Sequence, residues 1–248
     1  MIFLTFAPMN RSHGIVLRSL RYNDTQVIVS IFTEAAGTMD FIVRRAATAR
    51  QAVKASTWAP LTLVEVAWEP RQRTSLQRPR ELALWRPWHT IPFNPSKAAM
   101  AIFLGELLGH ALRSEQANRE LFAFAANSLE WFDESEEHYA NFHIVFLTRL
   151  TRFLGFMPNA DEWHPGSLFD LQAGSFVDAP PPHSYYLEPA EAALVPKFLR
   201  MNVRSMQPVG LNGALRRRAL DIITQFYRLH VPEFPELKSL SVLADVFA

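Results

Sequence analysis

The hydrophobic pattern of this chain changes its period near residue 91, and this change limits the fold more than any other feature. Before that point apolar and polar residues alternate over short runs, a pattern typical of half-buried strands. After it, apolar residues recur every three or four positions over longer segments, as on the buried faces of helices. The sequence therefore predicts a two-domain α+β protein with domains at 1–90 and 91–248. Residues 1–8 are an extension if translation starts at Met9.

The first domain is expected to contain five strands. The first three follow one another closely through the turn residues Asn23 and Asp24 and through 35–37, which favours an antiparallel meander. The five runs are Gly14–Tyr22, Thr25–Thr33, Thr38–Arg44, Leu61–Trp68 and a run ending at Trp85. A helix-like or loop-like insert at 45–59 after the third strand gives the order of an OB-type barrel. A small SH3-like barrel or an open meander fits nearly as well.

The second domain is expected to be all-α, with one long irregular loop. Helical spacing covers Lys97–Arg113, Asn118–Phe132, Glu137–Phe156, Glu188–Arg200, Leu215–His230 and Ser239–Phe247. In the first of these segments, Gly105 and Gly109 are spaced for close packing against a neighbouring element. The irregular loop runs from Pro158 to Tyr186 and is unusually long for a compact domain.

The formal net charge of +1 hides an uneven distribution of charged residues along the chain. Residues 1–90 hold 12 Lys or Arg and 6 Asp or Glu, whereas residues 91–248 hold 13 and 18. The first domain thus carries a net charge of +6 and the second a net charge of −5. A small basic β-domain of this kind suggests a polyanion as its partner.

Arginines near strand ends and in the loop at 69–80 are the predicted DNA contacts. Loop arginines can follow a phosphate backbone without reading its sequence, and such binding weakens with added salt. The predicted set is Arg18, Arg21, Arg44, Arg45, Arg71, Arg73, Arg78 and Arg80. A merely solvated surface is the alternative interpretation of these arginines. Six aromatic residues are expected either to fill the core or to stack on bases: Tyr22, Phe32, Phe41, Trp68, Trp85 and Trp88.

The sequence lacks the motifs of several enzyme and metal-site classes. With no cysteine, it cannot form disulfides, thiolate zinc sites, iron–sulfur clusters or a cysteine nucleophile. It also contains no G-x-G-x-x-G, P-loop, G-x-S-x-G or H-E-x-x-H motif. We therefore expect no cofactor, no metal and no catalysis. A hydrolase that uses loop carboxylates such as Asp161 and Asp170 is the least favoured alternative. No run approaches the roughly 20 apolar residues of a membrane span, so we expect a cytoplasmic protein without a membrane partner.

Four motifs along the chain resemble the RecO family of bacterial DNA repair proteins. The first is H-G-I-V-L-R-S-L-R-Y-N-D-T followed by V-I-V-S-I-F-T-E-x-x-G, from His13 to Gly37. The others are F-L-x-R-L-x-x-x-L-G-F-x-P from Phe146, F-D-L-x-x-G-x-F from Phe169, and the segment Phe226–Leu243. The likeness extends over essentially the whole chain from His13.

The resemblance implies a non-enzymatic recombination mediator that acts at the nucleoid. In that family an N-terminal OB-fold binds single- and double-stranded DNA and anneals complementary strands. With RecR it helps to load RecA onto strands coated by single-strand binding protein. Some members hold zinc through four cysteines near the loop at 161–176, which this cysteine-free chain cannot do. The resemblance therefore leaves this loop to be held by packing of Trp163, Phe169 and Phe176.

The family also binds the acidic, phenylalanine-ended tail of single-strand binding protein in its helical domain. Such a tail needs an apolar pocket beside a cation. The predicted partner-binding residues are Arg216, Arg217, Arg218, Ile222 and Phe226. Three consecutive arginines cannot share one helical face, and a solvated helix start is the simpler interpretation of this cluster. The alternative for the whole protein is an interaction scaffold whose β-domain binds only a protein, without direct DNA binding.

Overall fold

The computed structural model describes residues 9–44, 55–71, 74–201 and 211–246. The chain has a β-rich N-terminal region and a helical C-terminal region, as the sequence pattern predicts. The chain divides into two compact units, within each of which most residue contacts are made. Unit 1 contains residues up to Asp133 together with Leu237–Val246, and unit 2 contains Glu134–Glu236.

Unit 1 is built on a sheet of six strands in the order β5-β3-β2-β1-β4-β6. The strands are β1 (Asn10–Arg21), β2 (Gln26–Thr33), β3 (Gly37–Arg44), β4 (Leu63–Trp68), β5 (Leu76–Gln77) and β6 (Pro79–Arg86). The sequence predicted five strands, and the sixth is β5, a two-residue strand that pairs in parallel with β3. All other pairings are antiparallel. Among the described residues, the hydrogen-bonded ladder ends at β5 on one side and at β6 on the other.

The inward face of the sheet carries the alternating apolar residues that the sequence indicated. Val27, Val29 and Ile31 of β2 belong to one buried cluster. Residues of the neighbouring strands complete it, including Phe41, whose ring meets that of Trp68 edge-on with centroids 5.7 Å apart. The predicted insert after β3 contains a short 3-10 helix, Ala55–Trp58, within the described residues.

Helices cover one part of the outward face of the sheet. In unit 1 these are α1 (Pro95–Ala111), α2 (Arg119–Glu134) and, from the end of the chain, α7 (Ser239–Val246). Phe32 of β2 contacts Phe122 of α2, with ring centroids 6.0 Å apart. A Cβ atom placed on Gly105 would lie 2.6 Å from the Cβ of Pro60, which confirms the predicted close packing at that glycine.

Unit 2 combines helices with a small sheet. Its elements are α3 (Phe142–Phe153), β7 (Leu168–Asp170), β8 (Ser175–Val177), β9 (Tyr186–Leu187), α4 (Pro189–Ala192), α5 (Val195–Arg200) and α6 (Gly213–His230). The prediction of an all-α domain is therefore wrong at the long loop, where β7 pairs with β8 and β9. Phe169 and Phe176 of that loop pack edge-on, 4.9 Å apart, as predicted, whereas Trp163 is 37% exposed.

Two helix predictions in unit 2 also need correction. The segment from Glu188 to Arg200 forms two short helices, because Pro196 lacks the amide hydrogen that would continue α4 into α5. Helix α3 begins at Phe142 rather than at Glu137, since His138 has a positive φ of 61°.

Candidate nucleic-acid interface

An open groove of about 600 Å³ lies in unit 1 between the end of β3 and the loop that precedes β6. It is lined by Gln26, Ile42, Val43, Arg44, Glu69, Arg71, Arg78, Pro79, Arg80 and Leu82. Four of the eight predicted arginines therefore surround one opening, and all four are exposed to solvent. Glu69 is the one carboxylate in the lining of this groove among the described residues.

Gln77 of β5 fixes the backbone near two of these arginines, Arg71 and Arg78. Its side chain is 5% exposed, and its amide oxygen accepts a hydrogen bond from the backbone N–H of Arg71 at 2.9 Å. Its amide nitrogen donates to the backbone oxygen of Thr74 at 2.8 Å. In the sheet, Gln77 lies opposite Phe41 of β3. One buried amide thus holds Arg71 and Thr74 near β3, so that Arg71 and Arg78 face the groove from fixed backbone positions.

Arg80 already binds a planar anion within the groove. Its Nε donates to Oε1 of Glu69 at 3.1 Å, and its Nη2 donates to Oε2 at 2.9 Å. This two-pronged geometry is also how arginine binds phosphate. The hydrogen bond from Arg80 lowers the pKa of Glu69, so the carboxylate is ionised at neutral pH.

The other predicted DNA contacts lie apart from the groove lining or outside the described residues. Arg18 donates through Nε to the hydroxyl of Ser30 at 3.1 Å. That hydroxyl in turn donates to the carboxylate of Asp40. Arg21 forms an ion pair with Asp24 in the turn between β1 and β2. Arg45 and Arg73 lie outside the described residues.

The six aromatic candidates divide between core and surface. Phe32, Phe41 and Trp68 are at most 1% exposed and fill the core of unit 1. The ring of Trp85 stacks on that of His13, with the two ring centroids 3.9 Å apart. The guanidinium carbon of Arg86 lies 4.6 Å from the centre of the Trp85 ring. Trp88 is partly buried. Tyr22 is 59% exposed, which makes it the most accessible of the six aromatic candidates.

The predicted partner-binding arginines point in different directions. Arg216 is partly buried and donates to Oδ1 of Asn141 at 3.0 Å and to the backbone oxygen of Leu211 at 3.1 Å. Burial lowers its pKa. Arg218 forms an ion pair with Glu191 of α4. Arg217 is exposed. The structure thus separates this basic cluster instead of gathering it on one surface.

Ile222 and Phe226 lie on the buried face of α6. Both are 5% exposed and line an apolar cavity of about 40 Å³ together with residues of α3 and α5. Engineered cavities that bind benzene have volumes of about 150 Å³. A phenyl ring would therefore require side chains around this cavity to move.

The described residues contain no group of three or more His, Asp or Glu that could hold a metal ion. Asp170, which the hydrolase alternative needs, accepts backbone hydrogen bonds from Gln172 and Ala173 at 2.8 and 3.0 Å. None of the described helices combines the length and the apolar composition that crossing a membrane requires.

Sequence reasoning missed three polar residues that shape the groove. Gln26 lies opposite Arg44, a pairing that follows from the short turn between β2 and β3. Glu69 and Gln77 gave no comparable signal, because both stand in a polar loop and act through partners distant in the sequence.

Two family models and several curated proteins match this chain over most of its length. The family described as Recombination protein O N terminal matches residues 9–88, and Recombination protein O C terminal matches residues 92–241. A DNA repair protein RecO from Bacteroides fragilis is 43% identical over 240 residues, covering 96% of this chain and 99% of that protein. The one from Phocaeicola vulgatus is 40% identical over 240 residues, covering 97% and 100%. The one from Porphyromonas gingivalis is 31% identical over 242 residues, covering 95% and 98%. This chain belongs to the recombination protein O family.

Proposed function

We propose that this protein is a DNA repair protein that binds DNA through the groove of unit 1. The single observation that carries the proposal is the gathering of Arg44, Arg71, Arg78 and Arg80 around one opening. Loop and strand-end arginines of this kind contact phosphates without reading bases, so the binding is independent of sequence. The name of the relatives, DNA repair protein RecO, supports the same role.

Within repair, we propose the role of a recombination mediator without catalytic activity. The protein anneals complementary strands and, with RecR, assists the loading of RecA onto strands coated by single-strand binding protein. Membership of the family supports this role. We propose that it acts on the chromosome, in the cytoplasm.

The test of DNA binding is a triple charge reversal in the groove. Arg44→Glu, Arg71→Glu and Arg78→Glu are combined, which leaves the Arg80–Glu69 pair in place. Affinity for a single-stranded oligonucleotide at low salt should fall by about tenfold or more. The plot of log affinity against log salt should also flatten, because fewer counterions are released. Fluorescence anisotropy over a salt series measures both quantities.

A matched control carries the same change of charge elsewhere in the molecule. Arg152→Glu, Arg200→Glu and Arg228→Glu alter three exposed arginines of unit 2. This control should retain most of the affinity and the slope of the unaltered protein. Equal losses in both triple variants would mean that net charge, and not the groove, controls binding.

Strand annealing separates this proposal from a pure interaction scaffold. The purified protein should accelerate pairing of two complementary oligonucleotides, whereas a scaffold that binds only a protein would not. The groove variant should lose the acceleration and the unit 2 control should keep it.

We also propose that unit 2 binds the phenylalanine-ended tail of single-strand binding protein beside Ile222 and Phe226. The apolar cavity that both residues line supports this, with Arg218, one helical turn before Ile222, as the cation on the same face of α6. Because the cavity is small, binding requires it to expand. A tail peptide should therefore change the chemical shifts of methyl groups around the cavity, and a peptide without its terminal phenylalanine should not.

A further inference from the structure

An apolar row crosses the outward face of β1, β2 and β3 near the groove. Leu20 lies opposite Ile28, and Ile28 lies opposite Ile42, so the three side chains share one face in a line across the strands. Leu20 is 52% exposed, and the two isoleucines are partly exposed. Adjacent exposed apolar side chains mark contact surfaces, whereas single ones need no explanation.

A bulge in β1 is the reason that Leu20 faces outward. Val16 pairs with Ile31, but Arg18 pairs with Ser30, so Leu17 is an extra residue in the strand. Side chains alternate between faces, and one inserted residue moves every later side chain to the opposite face. Without the bulge, Leu20 would point into the apolar cluster of unit 1. The bulge therefore exposes an apolar residue that the alternation would otherwise bury.

Tyr22 extends this row toward the arginines. It follows β1 and is 59% exposed, and its backbone N–H donates to the oxygen of Gln26 at 3.0 Å. Gln26 pairs with Arg44, and both residues line the groove. Ile42 of the apolar row also lines it. An exposed aromatic residue and an apolar row therefore border the opening that holds four guanidinium groups.

We infer that Leu20, Tyr22, Ile28 and Ile42 form a base-binding strip, and that the groove therefore takes a single nucleic-acid strand in preference to a duplex. This inference rests on the proposed function. A single strand offers phosphates to the arginines and the apolar faces of unpaired bases to the strip. A duplex hides those faces inside its stack. The four arginines also favour a polyanion over an apolar protein segment at the same place.

The experiment compares three probes of equal length: an oligo-dT strand, the same strand with abasic sites, and a duplex. Tyr22→Ala should weaken binding of oligo-dT by about fivefold or more, because stacking on an aromatic side chain is lost. Binding of the abasic strand and of the duplex should change less than twofold. Tyr22→Phe should keep the affinity for oligo-dT, since the ring remains. Tyr185→Ala, at a tyrosine of unit 2 that is 40% exposed, is the control.

Photo-crosslinking gives an independent readout of the same contact. A strand that carries 5-iodouracil should crosslink to Tyr22, as identified by mass spectrometry of the digested adduct. Crosslinking only to residues of unit 2 would overturn the strip.

The outcomes separate the strip from the proposed function. Equal loss on all three probes would make Tyr22 a structural residue, and unchanged binding of oligo-dT would make the row a protein contact. Either result overturns the strip while leaving DNA binding in place. If the unaltered protein binds none of the probes, the proposed function fails, and the strip fails with it.

Discussion

Glu69 is the residue whose position in the groove is most unexpected for a nucleic-acid site. A carboxylate among four arginines repels phosphate, and it occupies the two-pronged face of Arg80 that a phosphate would use. Both side chains are exposed, so their pairing adds little to folding stability. We therefore expect Glu69 to compete with phosphate for Arg80, which becomes available only when a ligand displaces the carboxylate.

We expect Glu69→Gln to tighten binding of single-stranded DNA by several-fold. The substitution removes the negative charge and weakens the competition for Arg80, so one more phosphate contact forms. The plot of log affinity against log salt should then steepen by about 0.7, the value for one additional contact to a single strand. Anisotropy titrations from low to moderate salt provide both numbers.

Glu81→Gln is the matched control for this prediction. Glu81 stands on β6 close in sequence to Arg80, but it pairs with Arg11 at 2.7 Å and is not part of the groove lining. Its substitution should leave affinity and slope nearly unchanged. An equal gain in both variants would show that total charge, and not the release of Arg80, governs binding.

At the scale of elements, the hydrophobic periodicity of the sequence correctly predicted the features that depend on neighbouring residues, namely strand faces and helix positions. Period-two alternation placed Val27, Val29 and Ile31 on one face of β2, and the structure confirms this because a strand must alternate. Helical spacing likewise located α1, α2 and α6 to within a few residues.

The remaining features depend on partners that are distant in the sequence. Strand β5 forms because Leu76 and Gln77 pair with β3. The polar, basic sequence around these two residues contains no pattern that predicts this pairing. The small sheet of unit 2 similarly depends on β7 meeting β8 and β9. For the candidate site, residue type alone identified the arginines, but the pairing of β3 with β2 and with β5 decided which four share the groove.

Two glycines of α1 give a prediction about packing at this scale. Gly105→Ala should destabilise the protein by about 1–3 kcal/mol, because its Cβ would lie 2.6 Å from Pro60 and the backbone must shift. Gly109→Ala should be neutral or stabilise by up to about 1 kcal/mol, since its Cβ would meet its nearest neighbour at 3.6 Å and alanine favours helix. Thermal and urea unfolding followed by circular dichroism compares the pair. Similar effects of both substitutions would show that helix propensity, and not the approach of Pro60, controls this helix.

For the whole molecule, the charge asymmetry that the sequence shows between residues 1–90 and 91–248 also appears between the two compact units. Unit 1 holds 16 Lys or Arg and 12 Asp or Glu, whereas unit 2 holds 9 and 12. Unit 1 is therefore net basic and unit 2 net acidic. The acidic helices of unit 1 lower its net charge, so we expect any polyanion binding to depend more on the local gathering of arginines than on the total charge.

The folding equilibrium of the whole chain should depend on pH through His143. This residue of α3 is fully buried, and burial, with a further contribution from the nearby charge of Arg216, lowers its pKa to about 3. The unfolded chain takes up the proton near pH 6.5, whereas the folded chain does not until about pH 3. Below pH 6.5 the unfolded state therefore binds more protons, and the free energy of unfolding falls as pH falls.

Between pH 6.5 and pH 5 we expect this histidine to reduce the free energy of unfolding by about 1 kcal/mol per pH unit. His143→Gln should remove that part of the slope, whatever it does to the stability at pH 7. The control is His138→Gln, at an exposed histidine outside α3, which should keep the full slope. Urea titrations at several pH values, read from hydrogen-exchange protection of α3 and α6, report on the unit that contains His143. If both variants keep the same slope, the proton uptake that destabilises the fold belongs to carboxylates and not to this buried ring.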